Sequence, residues 1–405
     1  MIIGKVLDTI DMRALGQELK RARKQSGYRQ EDAAKVIDVA RTTLIAIENG
    51  ERRIRANELI RLAEIYGRQV SDFVRPRPAI APFTTRQFRA PQSVVEKSSE
   101  AVDKSVALFE DVCRNYLELE RITGRPMNRR YPAEYERRGS NLEAEAEALA
   151  QAERNRLGLG TGPLPPIRDI LEQDIGIRVF YLDLEPSNLS GIYYYSDELG
   201  ACIAVNSNHP EDRCRWTMSH DKVHFDVDRR RPSVTFLWGY QRIPDNERFA
   251  DSTTAYFLMP TISLQQHFDD VSSQYGGFTP EALCVLAHRY GVSVEAMTRR
   301  LQDMRRLPID TWDKIKASGL KIQEIEQDLG LGSPPGRRDM FPIHYRALAL
   351  WALKDEKITE GQFANFLKID RLEARKIANE IHREEVPLKK DAPNAQVAPE
   401  EASDE

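Results

Sequence analysis

Between residues 12 and 74 apolar side chains recur at spacings of three and four, with breaks at Gly27, Gly50 and Gly67. That period puts them on one face of successive short helices, and the glycines mark the stops. A proline-bearing stretch, residues 76–82, interrupts the rhythm and reads as a linker. From Ser93 to about Thr123 the helical period returns, with Val102, Val106, Leu108, Phe109, Val112 and Tyr116 along one side. Such a helix either pairs two copies of the chain or packs on its own domain. An Ala/Glu-rich helix is expected from Leu142 to Arg156, then a plain turn over Gly158–Gly162 and a short helix over Ile167–Gln173. The pattern then changes. Ile177–Leu182, Gly191–Tyr195 and Ala201–Val205 are rich in Ile, Val and Tyr and predict three strands in a meander. Helical spacing resumes after them, in a helix containing His220 and His224, one from Asp245 to Met259, one from Glu281 to Tyr290, and more as far as Arg383. Thr359 and Gln362 form a capping-box pair ahead of an apolar run. The expected fold class is mainly α, with one α+β domain built around a small sheet.

Composition narrows the setting. The chain has 405 residues, 41% hydrophobic and 30% charged, with a net charge of −4, which suits two or three soluble domains. Cys113, Cys202, Cys214 and Cys284 form no C-x-x-C pair, which argues against a cysteine zinc site or a disulfide framework. No basic-then-apolar leader and no 18-residue apolar run is present, so a cytoplasmic protein without a membrane span is expected. The charge is uneven. Residues 1–75 hold 15 Lys/Arg against 11 Asp/Glu, while Asp391, Glu400, Glu401, Asp404 and Glu405 load the end of the chain with acid. A basic head points to a nucleic-acid partner.

The head resembles the Xre/Cro family of helix-turn-helix domains, over residues 16–74. The resemblance rests on Gly16–Arg23, on Gln30-Glu31-Asp32-Ala33-Ala34, on the run from Arg41 to Gly50, and on Leu59, Leu62, Ala63 and Tyr66. It implies a five-helix, lambda-repressor-like module that binds double-stranded operator DNA as a homodimer. Arg41, Thr42 and Thr43, at the start of the third helix, would enter the major groove, and Gln30 would support them. Arg52 and Arg53 follow that helix and would hold the phosphate backbone. Asp38 stands where the family has a turn glycine, and Ala40 where it has a capping serine.

The second motif is His220-Asp221-Lys222-Val223-His224. It is one residue away from H-E-x-x-H, in which two histidines at i and i+4 share a helix face and grip a zinc ion. Together with Ile203-Ala204-Val205-Asn206, Glu247-Arg248-Phe249-Ala250-Asp251 and Phe257-Leu258-Met259-Pro260, it resembles the ImmA/IrrE family of metallopeptidase domains. The resemblance implies a zincin-like α+β domain. It makes His220, His224 and Glu247 the zinc ligands, Asp251 an acceptor behind a ligand imidazole, and Asp221 the catalytic carboxylate. Asp221 is one methylene shorter than the family's Glu. Lys222 is expected to point to solvent, and Asp226, Asp228 and Arg229–Arg231 to form a solvated charge cluster.

The expected domains are therefore the helix-turn-helix over 1–75, a linker and amphipathic helix over 76–140, the zincin-like part over 141–305, C-terminal helices over 306–385 and an acidic tail over 386–405. Two functions fit this order. In one, a DNA-binding regulator cleaves itself or a partner repressor to throw a stress, mobile-element or phage-defence switch. In the other, the peptidase-like part is inactive and serves as a sensor or interaction module, the role that Asp221 favours. A toxin is a third possible partner.

Overall fold

The helix-turn-helix forms as its pattern predicts, from α1 (Met12–Gln25), α2 (Gln30–Val36), α3 (Arg41–Glu48), α4 (Ala56–Ile65) and α5 (Val70–Val74). The Asp11 carboxylate caps α1 by accepting from the Arg13 amide at 2.8 Å. Asp38 takes the left-handed conformation, φ 58°, that the turn demands. Ala40 begins α3 with no side-chain cap. Leu19, Ala33, Leu44, Leu59 and Leu62 fill the core. Gly16 lets α1 lie against α3, because a Cβ there would strike the Ile47 and Glu48 carbonyls. Beneath α3 runs a buried ion pair. Arg23 Nε lies 2.6 Å from Glu48 Oε1, and the Gln30 amide donates to Glu48 Oε2 at 3.1 Å.

This computed structural model describes residues 10–68, 70–74, 83, 92–139, 141–236, 244–332 and 338–385, and the expected linker and acidic tail lie outside them. The chain divides into two units. One comprises Met1–Glu118 with Met127–Pro342, the other Leu119–Pro126 with Ile343–Glu405. In the first unit the part of the 32-residue helix α6 (Gln92–Thr123) up to Glu118 joins the helix-turn-helix to a sheet. Glu110 and Arg114 of α6 meet Arg21 and Glu18 of α1 at 2.6 Å each. On the sheet side Phe109 and Tyr116 set their rings edge-on to Phe180, and Phe83 stacks on Tyr194 with centroids 3.7 Å apart. This packing is one of the two roles its sequence left open.

The sheet holds β1 (Arg178–Leu182), β2 (Leu189–Ser196), β3 (Gly200–Asn206) and β4 (Ser233–Phe236), in the order β1-β3-β2-β4. This corrects the expected meander. β1 lies beside β3 and parallel to it, while β2 runs antiparallel to both β3 and β4. Side-chain composition identifies strands but carries little information about which strand is whose neighbour. β4 follows an arginine run and has four residues, too short for a period to show. The short helix expected before β1 is one α-helical turn, Ile167–Asp169, that widens into a π-helical turn, Ile170–Ile175, and stops at the left-handed Gly176.

Helices cover the sheet and its flank: α7 (Leu142–Arg156), α8 (Glu211–Val227), α9 (Asp245–Leu258), α10 (Thr261–Gln274), α11 (Pro280–Tyr290), α12 (Val294–Asp303), α13 (Thr311–Ala317) and α14 (Ile322–Asp328). α8 crosses β2, β3 and β4, and α9 packs along α7. The second unit consists of α15 (Ile343–Lys354), α16 (Glu360–Leu367) and α17 (Arg371–Glu385) with residues 119–126. Thr359 and Gln362 close the predicted capping box at 3.2 and 2.8 Å. All four cysteines are buried and none forms a disulfide. Among the described residues, no helix is long and apolar enough to cross a membrane.

Candidate metal centre and DNA-binding face

α8 is an unusual helix. Thirteen of its seventeen residues are buried, nine of them charged or polar, so nearly every side is interior and each polar group must find a partner there. Its histidines find each other. The Nε2 atoms of His220 and His224 are 3.1 Å apart, with the rings edge-to-face. α9 crosses them and brings in Glu247, whose Oε2 lies 3.2 Å from His220 Nε2 and whose Oε1 lies 3.6 Å from His224 Nε2. Ligands about 2.0–2.1 Å from a tetrahedral zinc are roughly 3.4 Å from one another. Each of the three separations lies near that value, with Glu247 turning one oxygen to each imidazole. Behind it, Asp251 Oδ1 lies 3.0 Å from His220 Nδ1, where a carboxylate can accept the Nδ1–H and leave Nε2 to a metal. Burial opposes a charge on Glu247, but both imidazoles outweigh it and hold the carboxyl far below the usual range. Burial likewise opposes a charge on His220, and Asp251 and Glu247 reverse it, raising its pKa well above normal.

Asp221 stands differently. One of its oxygens joins His220 and His224 in a set of ligand atoms within 4.8 Å of one another. Glu247 offers one oxygen to each imidazole, at 3.2 and 3.6 Å. Asp221 is fully buried, and its Oδ1 accepts from the Thr235 hydroxyl of β4 at 2.9 Å. Its Oδ2 has no hydrogen-bond partner and lies 2.9 Å from where a Cβ on Gly191 would be. Burial pushes its carboxyl up to about 7, against the pull of His220 and the Thr235 hydrogen bond. Thr235 carries no sign of this role in the sequence. Gly191 carries one, since glycine within a β-rich run marks a close approach.

Two expectations fail beside the histidines. Lys222 is only 2% exposed, and its ammonium lies 2.8 Å from Glu153 Oε2 of α7 and 2.5 Å from Asp226 Oδ2. Asp226 is buried too, so the expected solvated cluster begins only after it, with exposed Arg230 paired to Asp197 at 2.9 Å. The reason is α7. Its Glu153 reaches the far side of α8 and neutralises the lysine there.

A cleft of about 740 Å³ opens on the site between α8, α9, α12 and β4, lined by Trp216, His220, Thr235, Glu247 and Asp251 among others. Asp221 is not part of its wall.

In the helix-turn-helix, the first turn of α3 presents Arg41 and Thr42 exposed and Thr43 half-buried. Gln30 lies beside them and accepts from Arg41 at 3.5 Å. Arg53 is exposed, whereas Arg52 forks onto Glu58 at 2.8 and 2.9 Å. The structure thus gathers Gln30, Arg41, Thr42 and Thr43 and ties Arg52 to an acid.

Residues 19–73 match the helix-turn-helix family model, and residues 172–302 match that of the IrrE N-terminal-like domain, a peptidase family. No curated protein matches the chain. Among solved structures it aligns with ComR from Streptococcus suis at 11% identity and a TM-score of 0.15, over 93% of this chain and 95% of that one. The two family matches support a DNA-binding regulator, and the chain carries a helix-turn-helix domain of the Xre type joined to an IrrE-like, peptidase-type domain.

Proposed function

We propose that this protein is an operator-binding transcriptional regulator with a zinc site at His220, His224 and Glu247, which throws its switch by cutting a peptide bond in its own chain or in a partner repressor. The observation that carries this reading is the convergence of two imidazole Nε2 atoms and one carboxylate at 3.1, 3.2 and 3.6 Å. Bound zinc would polarise a carbonyl and acidify water. Asp251 would hold the Nδ1 proton of His220 and keep its ring aimed. Asp221 would accept the proton of the attacking water at a carboxylate oxygen and return it to the leaving amine. Arg41, Thr42, Thr43 and Gln30 would read the operator, with the chain acting as a dimer in the cytoplasm.

A second reading is favoured by one observation, the full burial of Asp221 against Thr235 and Gly191, outside the cleft wall. In it, zinc binds and no bond is cut, so that the domain senses or docks. The test is to load purified chain with zinc, mix it with the products of neighbouring genes and follow fragments by mass spectrometry, using wild type, Asp221→Glu and His220→Ala. Cleavage by wild type that is lost in His220→Ala supports the first reading. Cleavage only with Asp221→Glu establishes the second. Cleavage that persists without metal overturns the zinc site as its agent.

A further inference from the structure

Lys222 sits two residues from each histidine, which turns it to the far side of α8. There it closes a set of four charges, of which Lys222, Glu153 and Asp226 are buried and Arg156 is exposed. Its ammonium touches Glu153 and Asp226, and Arg156 grips both oxygens of Glu153 at 2.8 and 2.7 Å. Two positive and two negative groups cancel. A buried pair of this kind adds little stability over well-packed apolar residues, so stability alone is a poor account of it.

Its position gives a better one. Glu153 belongs to α7, and α7 is the support on which α9 also rests. Beneath the site one apolar cluster draws on all three helices: Ala146 and Leu149 from α7, Val223 from α8, Phe249 and Ala250 from α9. Val223 lies between the histidines in sequence, and Phe249 and Ala250 lie between Glu247 and Asp251. Apolar contact is non-directional, so it holds three helices together without setting how far one slides along another. A hydrogen-bonded ammonium–carboxylate pair is directional.

We infer that Lys222, clamped by Glu153 and Asp226, is a positioning residue that fixes α8 on α7 and so keeps the two imidazoles within reach of Glu247. This rests on the metal centre proposed above, and on no assumption about cleavage.

The test is cobalt titration of the full chain, read by visible absorption, alongside thermal melting of the metal-free protein. Wild type should give the intense bands of four-coordinate cobalt. Lys222→Met should bind cobalt about 10–100-fold more weakly, as loss of a group supporting a ligand does, with weakened or shifted bands. Glu153→Gln, which leaves Lys222 paired to Asp226, should do the same to a smaller degree and serves if Lys222→Met does not fold. Val271→Ala, a core change on α10, controls for stability and should lower the melting temperature without changing the bands. Unchanged cobalt affinity and spectrum in both Lys222→Met and Glu153→Gln would overturn the inference while leaving the metal centre intact. Failure of wild type to bind cobalt or zinc would overturn both.

Discussion

α3 and α8 each carry a candidate function, and they are built in opposite senses. In α3 three of eight residues are buried, Leu44, Ile47 and Glu48, and the groups offered to DNA stand in solvent. In α8 thirteen of seventeen are buried, and the groups offered to a metal face inward. A surface site leaves the binary pattern of its helix undisturbed. An interior site fills the positions where that pattern would place apolar side chains, so polarity stops reporting exposure. Lys222 and Asp226 show the cost to a reader of the sequence. They look like solvated charges and are not.

The largest effect belongs to the one buried acid of α3. Glu48→Ala strands Arg23 in the core, and uncompensated buried charge costs about 3–5 kcal/mol, so urea melts should show the helix-turn-helix unfolding first or failing to fold. Retention of its native melt would mean that water reaches Arg23. Next is His220→Ala. Losing a ligand should weaken zinc by more than the roughly 100-fold that losing a supporting group can cost, measured by competition with a chromogenic chelator, while DNA affinity stays within twofold. A matching fall in DNA affinity would show the two regions to be energetically coupled. Third, Arg41→Ala should lose about 1–3 kcal/mol of binding to duplexes selected from a random pool by wild type, with zinc content unchanged, as read by fluorescence anisotropy. Fourth, Ala40→Ser supplies the missing cap and should add about 1 kcal/mol to helix-turn-helix stability in the same urea melts.

The last prediction concerns pH and falls on Glu153. Burial works against its charge, but Arg156 and Lys222 win and lower its pKa to about 2. A carboxyl depressed on folding stabilises the native state above its ordinary pKa and loses that contribution as pH falls towards the depressed value. Glu153→Gln should therefore flatten the acid-melting curve between about pH 4.5 and 2 and leave its shape alone above that range. An unchanged acid limb would remove Glu153 from the balance.

Much of this was legible beforehand. α7 begins at Leu142 and ends at Arg156 as its composition predicts, and Asp38, standing where the family has a turn glycine, adopts a left-handed conformation. The histidine pair and Glu247 meet as their spacing and family resemblance imply. These features depend on local period, turn chemistry or a motif. The unread features depend on contacts distant in sequence. The β1–β3 pairing, the hold of Thr235 on Asp221 fourteen residues away, and the grip of Glu153 on Lys222 sixty-nine away leave no local trace.

The four buried cysteines give this interior a clock. Cys113 lies in α6, Cys202 in β3, Cys214 in α8 and Cys284 in α11, so each samples a different element of the first unit. A shielded thiol reacts with an alkylating reagent only when its surroundings part. The labelling rate of each, resolved by peptide mass, therefore counts how often that element leaves its seat. Cys214 is six residues ahead of His220, on the same helix. Its rate with and without added zinc would report metal binding as time spent closed, with no need to know what the protein cuts or senses.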